Sequence, residues 1–168
     1  MGALSEIPSG SQVFIDANIF VYHFGGDDDL ADACTEFLLR VENRDVRAFT
    51  STIIIAEVLH RLMIVEAVEK YGLPLKGIVK HLKEHPDVVM DLEKYSIAPE
   101  KISQMNVITL VITLEDVLDS KRTRESYGLL TNDSTSISVM ERFGISNIAP
   151  NDSDFERIAG VEVWKPLG

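Results

Sequence analysis

A single cysteine, Cys34, stands in this chain of 168 residues. One cysteine excludes an internal disulfide and suits a reducing cytoplasm. It falls on the apolar side of a predicted helix, where it reads as a small core hydrophobe. No apolar run approaches the roughly 20 residues needed to span a bilayer. Met1–Ser11 has neither the basic nor the apolar region of a secretory signal. The expectation is a cytoplasmic protein with no membrane partner. Basic residues are also scarce, with 16 Lys and Arg against 27 Asp and Glu, for a net charge of −11. That deficit argues against a broad basic surface for nonspecific nucleic-acid binding. It points instead to cationic partners, either metal ions or a basic protein. Carboxylates gathered to hold a metal add negative charge by design, and the ion then reverses the local sign. The Cys/His spacing of a structural zinc site is absent.

What is present is an ordinary globular composition, 45% hydrophobic and 26% charged, long enough for a sizeable core. No repeat, low-complexity tract or linker divides the chain, so residues 1–168 are expected to form one domain. Val13-Phe14-Ile15 reads as a buried strand ending at Asp16. Leu30, Ala33, Cys34, Phe37, Leu38 and Val41 recur at helical spacing behind the acids Asp27 to Asp29. Val46 to Phe49 reads as a second strand. Thr50-Ser51-Thr52 offers cap hydroxyls for a long apolar helix, about Ile53 to Tyr71, which Gly72 ends. Leu75, Ile78, Val79 and Leu82 predict one face of a further helix, which Pro86 ends or follows as the start of the next. A segment through Val88, Val89, Leu92 and Tyr95 is predicted helical up to a break at Pro99. VITLVIT, Val107 to Thr113, reads as the clearest strand. A helix opens at Leu114-Glu115-Asp116, a turn falls at Gly128, and Asp133 opens the next helix, which ends at Gly144. Ile145–Ala149 is a strand, Ser153–Ile158 a short helix and Val161–Trp164 a last strand. This alternation predicts an α/β fold, a parallel sheet of about five strands with helices on both faces.

In such sheets the site lies at the carboxyl ends of the strands. Asp16 and Asp152 each follow a strand at that edge. Asp16 sits between two apolar runs in FIDANIF, where an unpaired charge is costly to bury. Helix cap and metal ligand fit it equally well. Glu57 interrupts an apolar helix, and by itself reads as an i,i+4 partner of Arg61. Asp133 by itself reads as an N-cap, and Asp152 and Asp154 read as turn or cap residues. Their convergence on one edge is what changes the reading. Crowded carboxylates raise one another's pKa, and a hard divalent cation with oxygen ligands, Mg²⁺ or Mn²⁺, removes that penalty. Such an ion activates water and stabilises charge on a phosphodiester.

The ordered set FIDANIF, STIIIAEVLHRL, YGLLTNDSTSISVMERFG and IAPNDSDFERIAGVEVWKP resembles the PIN domain, and more narrowly the VapC-type toxins of prokaryotic toxin–antitoxin pairs. The resemblance spans nearly the whole chain. It implies a three-layer α/β/α fold and an Mg²⁺- or Mn²⁺-dependent endoribonuclease. The catalytic and metal-binding positions that match are Asp16, Glu57, Asp133 and Asp152, with Asn18 as the polar residue two beyond the first acid. Implied partners are an RNA substrate, a small basic antitoxin protein and a second copy in a homodimer. Two positions depart from the family pattern. Pro150-Asn151-Asp152 lacks the usual hydroxyl, and Ser134 follows the third acid where a small apolar residue is usual. Thr131-Asn132-Asp133 also spells the fourth motif, which would make Asp116 or Asp119 the third acid. That register fails because Asp154-Phe155 and the closing strand follow Asp152. Asp154 stays open as a substitute or helper for Asp152.

Lys121, Arg122 and Arg124 could meet RNA phosphates, but a solvated helix face is the preferred reading. His60 and Arg61 lie one turn beyond Glu57, within reach of a substrate, and carry no assigned role. His81 and His85 are expected at the surface. The alternative function is a PIN-like module that binds RNA or protein with little catalysis. A haloacid dehalogenase-type phosphatase would want a second Asp where Asn18 stands. A flap-type DNA nuclease is usually much larger.

Overall fold

The computed structural model describes residues 1–26 and 28–166. Its single sheet has six parallel strands, β1 (Gly2–Ala3), β2 (Gln12–Ile15), β3 (Arg47–Ser51), β4 (Ile108–Leu110), β5 (Asn147–Ala149) and β6 (Glu162–Lys165). Their spatial order is β1-β6-β5-β2-β3-β4. The strand beyond the expected five is β1, a two-residue edge strand paired to β6 through Gly2↔Trp164 and Ala3↔Lys165. The helices are α1 (Ala17–Gly25), α2 (Asp29–Glu42), α3 (Thr52–Tyr71), α4 (Ile78–Glu84), α5 (Pro86–Met90), α6 (Ala98–Gln104), α7 (Leu114–Tyr127) and α8 (Thr131–Phe143). The architecture is a three-layer α/β/α sandwich. None of these helices is long and apolar enough to cross a membrane.

The central strand β2 is buried from Val13 to Ile15 and pairs with β3 on one side and β5 on the other. The chain leaves β2 for β3 and later returns to β5 on the opposite flank. The carboxyl end of β2 is therefore a switch point, where an open parallel sheet forms its crevice. The core runs through Phe14, Phe20, Phe37, Leu38, Ile54, Ile137 and Phe155. Cys34 belongs to it, and burial pushes its thiol up to about 12, so it stays protonated as a core filler.

Local chemistry sets the helix ends. Ser51 Oγ accepts the Ile54 N–H at the start of α3, and Gly72 takes the left-handed conformation at its end, φ +63°. Thr113 and Asp116 form a reciprocal capping box on α7. Asp28 caps α2 by accepting the Ala31 N–H. Asp27, expected with it ahead of that helix, lies outside the described residues.

Several expectations are corrected. VITLVIT forms a strand only over Ile108–Leu110, because an edge strand has a single neighbour to pair with. The region after α3 is shorter and more broken than its pattern suggested. Leu75 and Val79 are exposed, leaving Ile78 and Leu82 of that face in a small satellite core with Ala67 and Leu92. Pro86 starts α5, one of its two expected roles, but a 3₁₀ turn at Lys94–Ile97 stands in place of a continued helix. Pro99 lies in the first turn of α6 and starts it instead of breaking one, as its fixed φ and missing N–H allow. Asp133 is the third residue of α8, whose cap is Leu130, and it makes no capping bond.

Candidate active site

Parallel strands joined by crossover helices put helix starts at the carboxyl edge of the sheet. Asp16 follows Ile15 directly, and its N–H donates to Ala149 O of β5 at 3.1 Å, which locks the two strand ends together. Its side chain is 7% exposed and makes no cap hydrogen bond. Burial drives the Asp16 carboxyl above its ordinary value, and the charge of Glu57 adds to the rise. The N–H groups of Ala17 and Asn18 and the Asn18 amide oppose it without cancelling it.

Asp133, half-buried on the first turn of α8, is pushed up to about 6. Burial is the largest cause, followed by the charges of Asp16, Glu57, Asp152 and Asp154 in that order. The acids expected from the sequence are thus brought together, since each one lies within electrostatic reach of Asp133. Every group in the set is a hard oxygen donor, which is the chemistry Mg²⁺ or Mn²⁺ selects. The shell is not closed, however. Among the described residues no three carboxylate, imidazole or thiol groups stand close enough to hold an ion as they are. Burial first and the neighbouring charges second raise Asp133, and a divalent ion would draw the carboxylates in by cancelling that repulsion.

Asp152 and Asp154 have different commitments. Asp154 is paired with Arg157 at 3.0 Å, while Asp152 only accepts the Asp154 N–H at 3.1 Å and bears on Asp133 more strongly. Their loop is held by Asn151, whose amide donates to the Tyr22 hydroxyl at 3.0 Å, and by the buried Pro150 that replaces the usual hydroxyl residue. Asp116 is accounted for elsewhere. It is buried in its capping box and bound to Arg142 at 2.8 Å. Lys121 and Arg122 pair with Glu125 and Glu141 on the surface, and Arg124 turns to the hydroxyls of Ser120 and Ser134. His60 is exposed, and His81 and His85 stack on each other 4.3 Å apart.

One part of the site was not anticipated. Arg61 Nη1 donates to Asn18 Oδ1 at 2.8 Å and lies 3.8 Å from Glu57 Oε1, while Asn18 Nδ2 donates to Asp16 Oδ2 at 3.1 Å. Asn132 Nδ2 reaches Glu57 Oε2 at 3.4 Å. The i,i+4 spacing of Glu57 and Arg61 was the available signal. That pair is the expected reading of Glu57 alone, but its extension from Arg61 to Asn18 is not visible in the sequence.

Comparison with known proteins identifies the family and the fold. "Ribonuclease VapC2" of Methanocaldococcus jannaschii is 26% identical over 153 residues, covering 91% of this chain and 93% of that protein. Among solved structures, VapC20 of Mycobacterium tuberculosis, described as a sarcin-ricin loop cleaving toxin, superposes with a TM-score of 0.61 at 17% identity, covering 90% of this chain and 98% of the other. A toxin–antitoxin complex from Klebsiella pneumoniae gives 0.56 at 15% identity, covering 92% and 98%. These two structures bear on the fold. The profile of the PIN domain matches residues 13–161, from the strand that carries Asp16 to the last turn before β6, so this chain belongs to the PIN domain family.

Proposed function

We propose that this protein is a divalent-metal-dependent endoribonuclease, the toxin of a toxin–antitoxin pair, acting in the cytoplasm with residues 1–168 as one nuclease domain. The observation that carries the proposal is the Asp133 carboxyl, lifted to about 6 by burial and by four neighbouring acids. A set of acids that destabilise one another at neutral pH is what a cation-dependent site requires. Asp16, Glu57, Asp133 and Asp152 would hold Mg²⁺ or Mn²⁺, which supplies an activated water and charge stabilisation at the phosphodiester. Asn18 holds one oxygen of Asp16, and Asn132 steadies Glu57. The kinship with a ribonuclease over most of both chains supports RNA as substrate. The test is cleavage of single-stranded and structured RNA by purified protein in Mn²⁺, Mg²⁺ or chelator. The alternative, a module that binds with little catalysis, is favoured by Pro150 in place of the hydroxyl residue. No metal-dependent cleavage in that assay would select it.

The antitoxin we propose is a small basic protein. Beside α3 runs a groove of about 430 Å³ lined by Phe24, Leu62, Val65, Tyr95 and Ile97, with Glu69 at its rim. The neighbouring Glu66 is already committed, since its carboxylate accepts the N–H groups of Glu93 and Tyr95, both at 2.9 Å. A partly helical segment would bury its apolar side in this groove and extend an Arg toward the acids at the sheet edge, where a planar fork matches a carboxylate. Replacing that Arg by Ala is expected to weaken inhibition of RNA cleavage at least about tenfold. Equal inhibition by both peptides would rule out the electrostatic contact.

A homodimer is proposed through the β4 edge. Leu114 and Leu118 of α7 are 75% and 65% exposed, and Ile108 and Val111 lie exposed beside them. Large apolar side chains left exposed along β4 and the start of α7 are candidates for burial against a second copy. Leu114→Glu with Leu118→Glu is expected to give a monomer in analytical ultracentrifugation. A wild-type protein that already sediments as a monomer would refute the dimer.

A further inference from the structure

We propose that Arg61 is the residue that receives a backbone phosphate of the RNA beside the acidic site, an inference that rests on the ribonuclease reading above. The chain carries a net charge of −11, and its acids are gathered where a polyanion must dock. A cation at the rim is the simplest way to admit that substrate. Arg61 is on α3 one turn after Glu57, with a side chain 35% exposed. Arg157 is held by Asp154 at 3.0 Å, and Lys121 and Arg122 stand with Glu125 and Glu141 on the outer faces of α7 and α8, whereas Arg61 alone of these is hydrogen-bonded to the residue that holds Asp16.

The geometry holds the guanidinium ready without saturating it. Nη1 is tied to Asn18 Oδ1 at 2.8 Å. The 3.8 Å approach to Glu57 is an ion pair but too long for a hydrogen bond. A guanidinium has five N–H donors in a fixed fork, and among the described residues only the bond to Asn18 is made. The remaining donors suit the paired oxygens of a phosphate. The anchor also fixes the Asn18 amide. Its oxygen must face Arg61, so its NH₂ faces Asp16. One side chain thereby orients the first acid through Asn18 and offers its outer edge to the substrate. A Lys could supply the charge but not the fork.

The experiment separates this role from a structural one by salt dependence. Binding of a single-stranded RNA is measured in an Asp133→Asn background, where cleavage is removed, with and without Arg61→Gln. Each phosphate contact contributes about 0.7 to the slope of log K against log salt for a single strand. Arg61→Gln is expected to weaken binding about tenfold and to make the slope shallower by about 0.7. Arg61→Lys restores the slope and only part of the affinity, and Lys121→Gln changes neither. In the cleaving protein Arg61→Gln raises KM more than it lowers kcat. An unchanged slope and KM in a variant whose thermal midpoint is preserved would overturn the proposal while leaving the ribonuclease reading standing. If Arg61→Gln does not fold, an Arg61→Lys protein with less than the wild-type slope overturns it equally. RNA that neither binds nor is cut by the wild type would overturn both.

Discussion

Asp16→Asn and Asp133→Asn are each expected to reduce metal-dependent RNA cleavage by at least about 10³-fold while leaving the protein folded. A metal-bound site contributes several kcal/mol to transition-state stabilisation, and each 1.36 kcal/mol is a factor of ten. The loss should be nearly complete in both because the acids act as one set. Folding should survive because both positions favour a neutral group. Burial already raises the Asp16 carboxyl, so an amide of the same shape relieves the desolvation and still accepts the Asn18 N–H. Asp133→Asn removes the carboxyl on which the other four charges bear. The measurement is cleavage of a labelled RNA in Mn²⁺, beside circular dichroism and thermal midpoints of the same samples. Undiminished cleavage by either variant would remove that residue from the site. Loss of folded structure in both would mean the acids serve stability first. The same purification run on Asp16→Asn also controls for contaminating nuclease.

The layers of this fold were legible because burial leaves a strong trace in sequence. A buried parallel strand must be apolar throughout, as Val13-Phe14-Ile15 is, and a helix must end where Gly72 or Gly128 turns left-handed. Asp16 and Glu57 stand out because each interrupts an apolar run, whereas Asp133 and Asp152 read singly as cap and turn residues and become site candidates only through the order of the motifs. The edge of the sheet was much less visible. VITLVIT has the composition of a central strand, yet only Ile108–Leu110 pairs, because hydrogen bonding needs neighbours that composition does not encode. The Leu73–Gln104 region was misread because its apolar residues cover a small satellite core as well as exposed surface, so no single period describes them. Arg61 was hidden for another reason. Its partner Asn18 lies 43 residues away, and only the tertiary fold shows that an ordinary i,i+4 pair also closes onto the first acid.

Millimolar Mn²⁺ should raise the thermal midpoint of the wild type at pH 7.5 by about 5–10 °C, and much less at pH 5 or in Asp16→Asn. An ion that binds only the folded state stabilises it by RT ln(1 + [L]/Kd), about 2.7 kcal/mol at a hundredfold excess over Kd. For a chain of this size each kcal/mol moves the midpoint by roughly 2–4 °C. The pH dependence follows from the sign of the shifts. Asp133 titrates at about 6 in the folded protein against 3.8 in the unfolded chain, and Asp16 is shifted in the same direction. The folded state therefore holds these protons more tightly. The stability that Asp133 lends is complete below pH 3.8 and is lost as pH rises through about 6, and the raised Asp16 works in the same sense. For Asp133 the loss is at most about 3 kcal/mol, and solvent screening of a half-buried group makes it smaller. In chelator the wild type should thus become more stable from pH 7.5 to pH 5, and Asp133→Asn should flatten that rise. Further acid reverses the trend through a different set of groups. Burial pushes Glu66 and Asp116 up, but their hydrogen bonds outweigh it, from the N–H groups of Glu93, Tyr95 and Lys94 on Glu66, and from Thr113 with the Arg142 charge on Asp116. Both carboxyls lie below their ordinary values, and the stability they provide is lost as pH falls through those lowered values. Manganese and protons compete for the same carboxylates, so the metal shift must shrink where Asp133 is protonated. Scanning calorimetry of wild type, Asp16→Asn and Asp133→Asn in Mn²⁺ and in chelator at both pH values reads all of these effects. Equal manganese shifts in wild type and Asp16→Asn would place the ion away from this edge of the sheet. A shift that grew at pH 5 would show that the ligands are not the carboxyls raised by one another's charge.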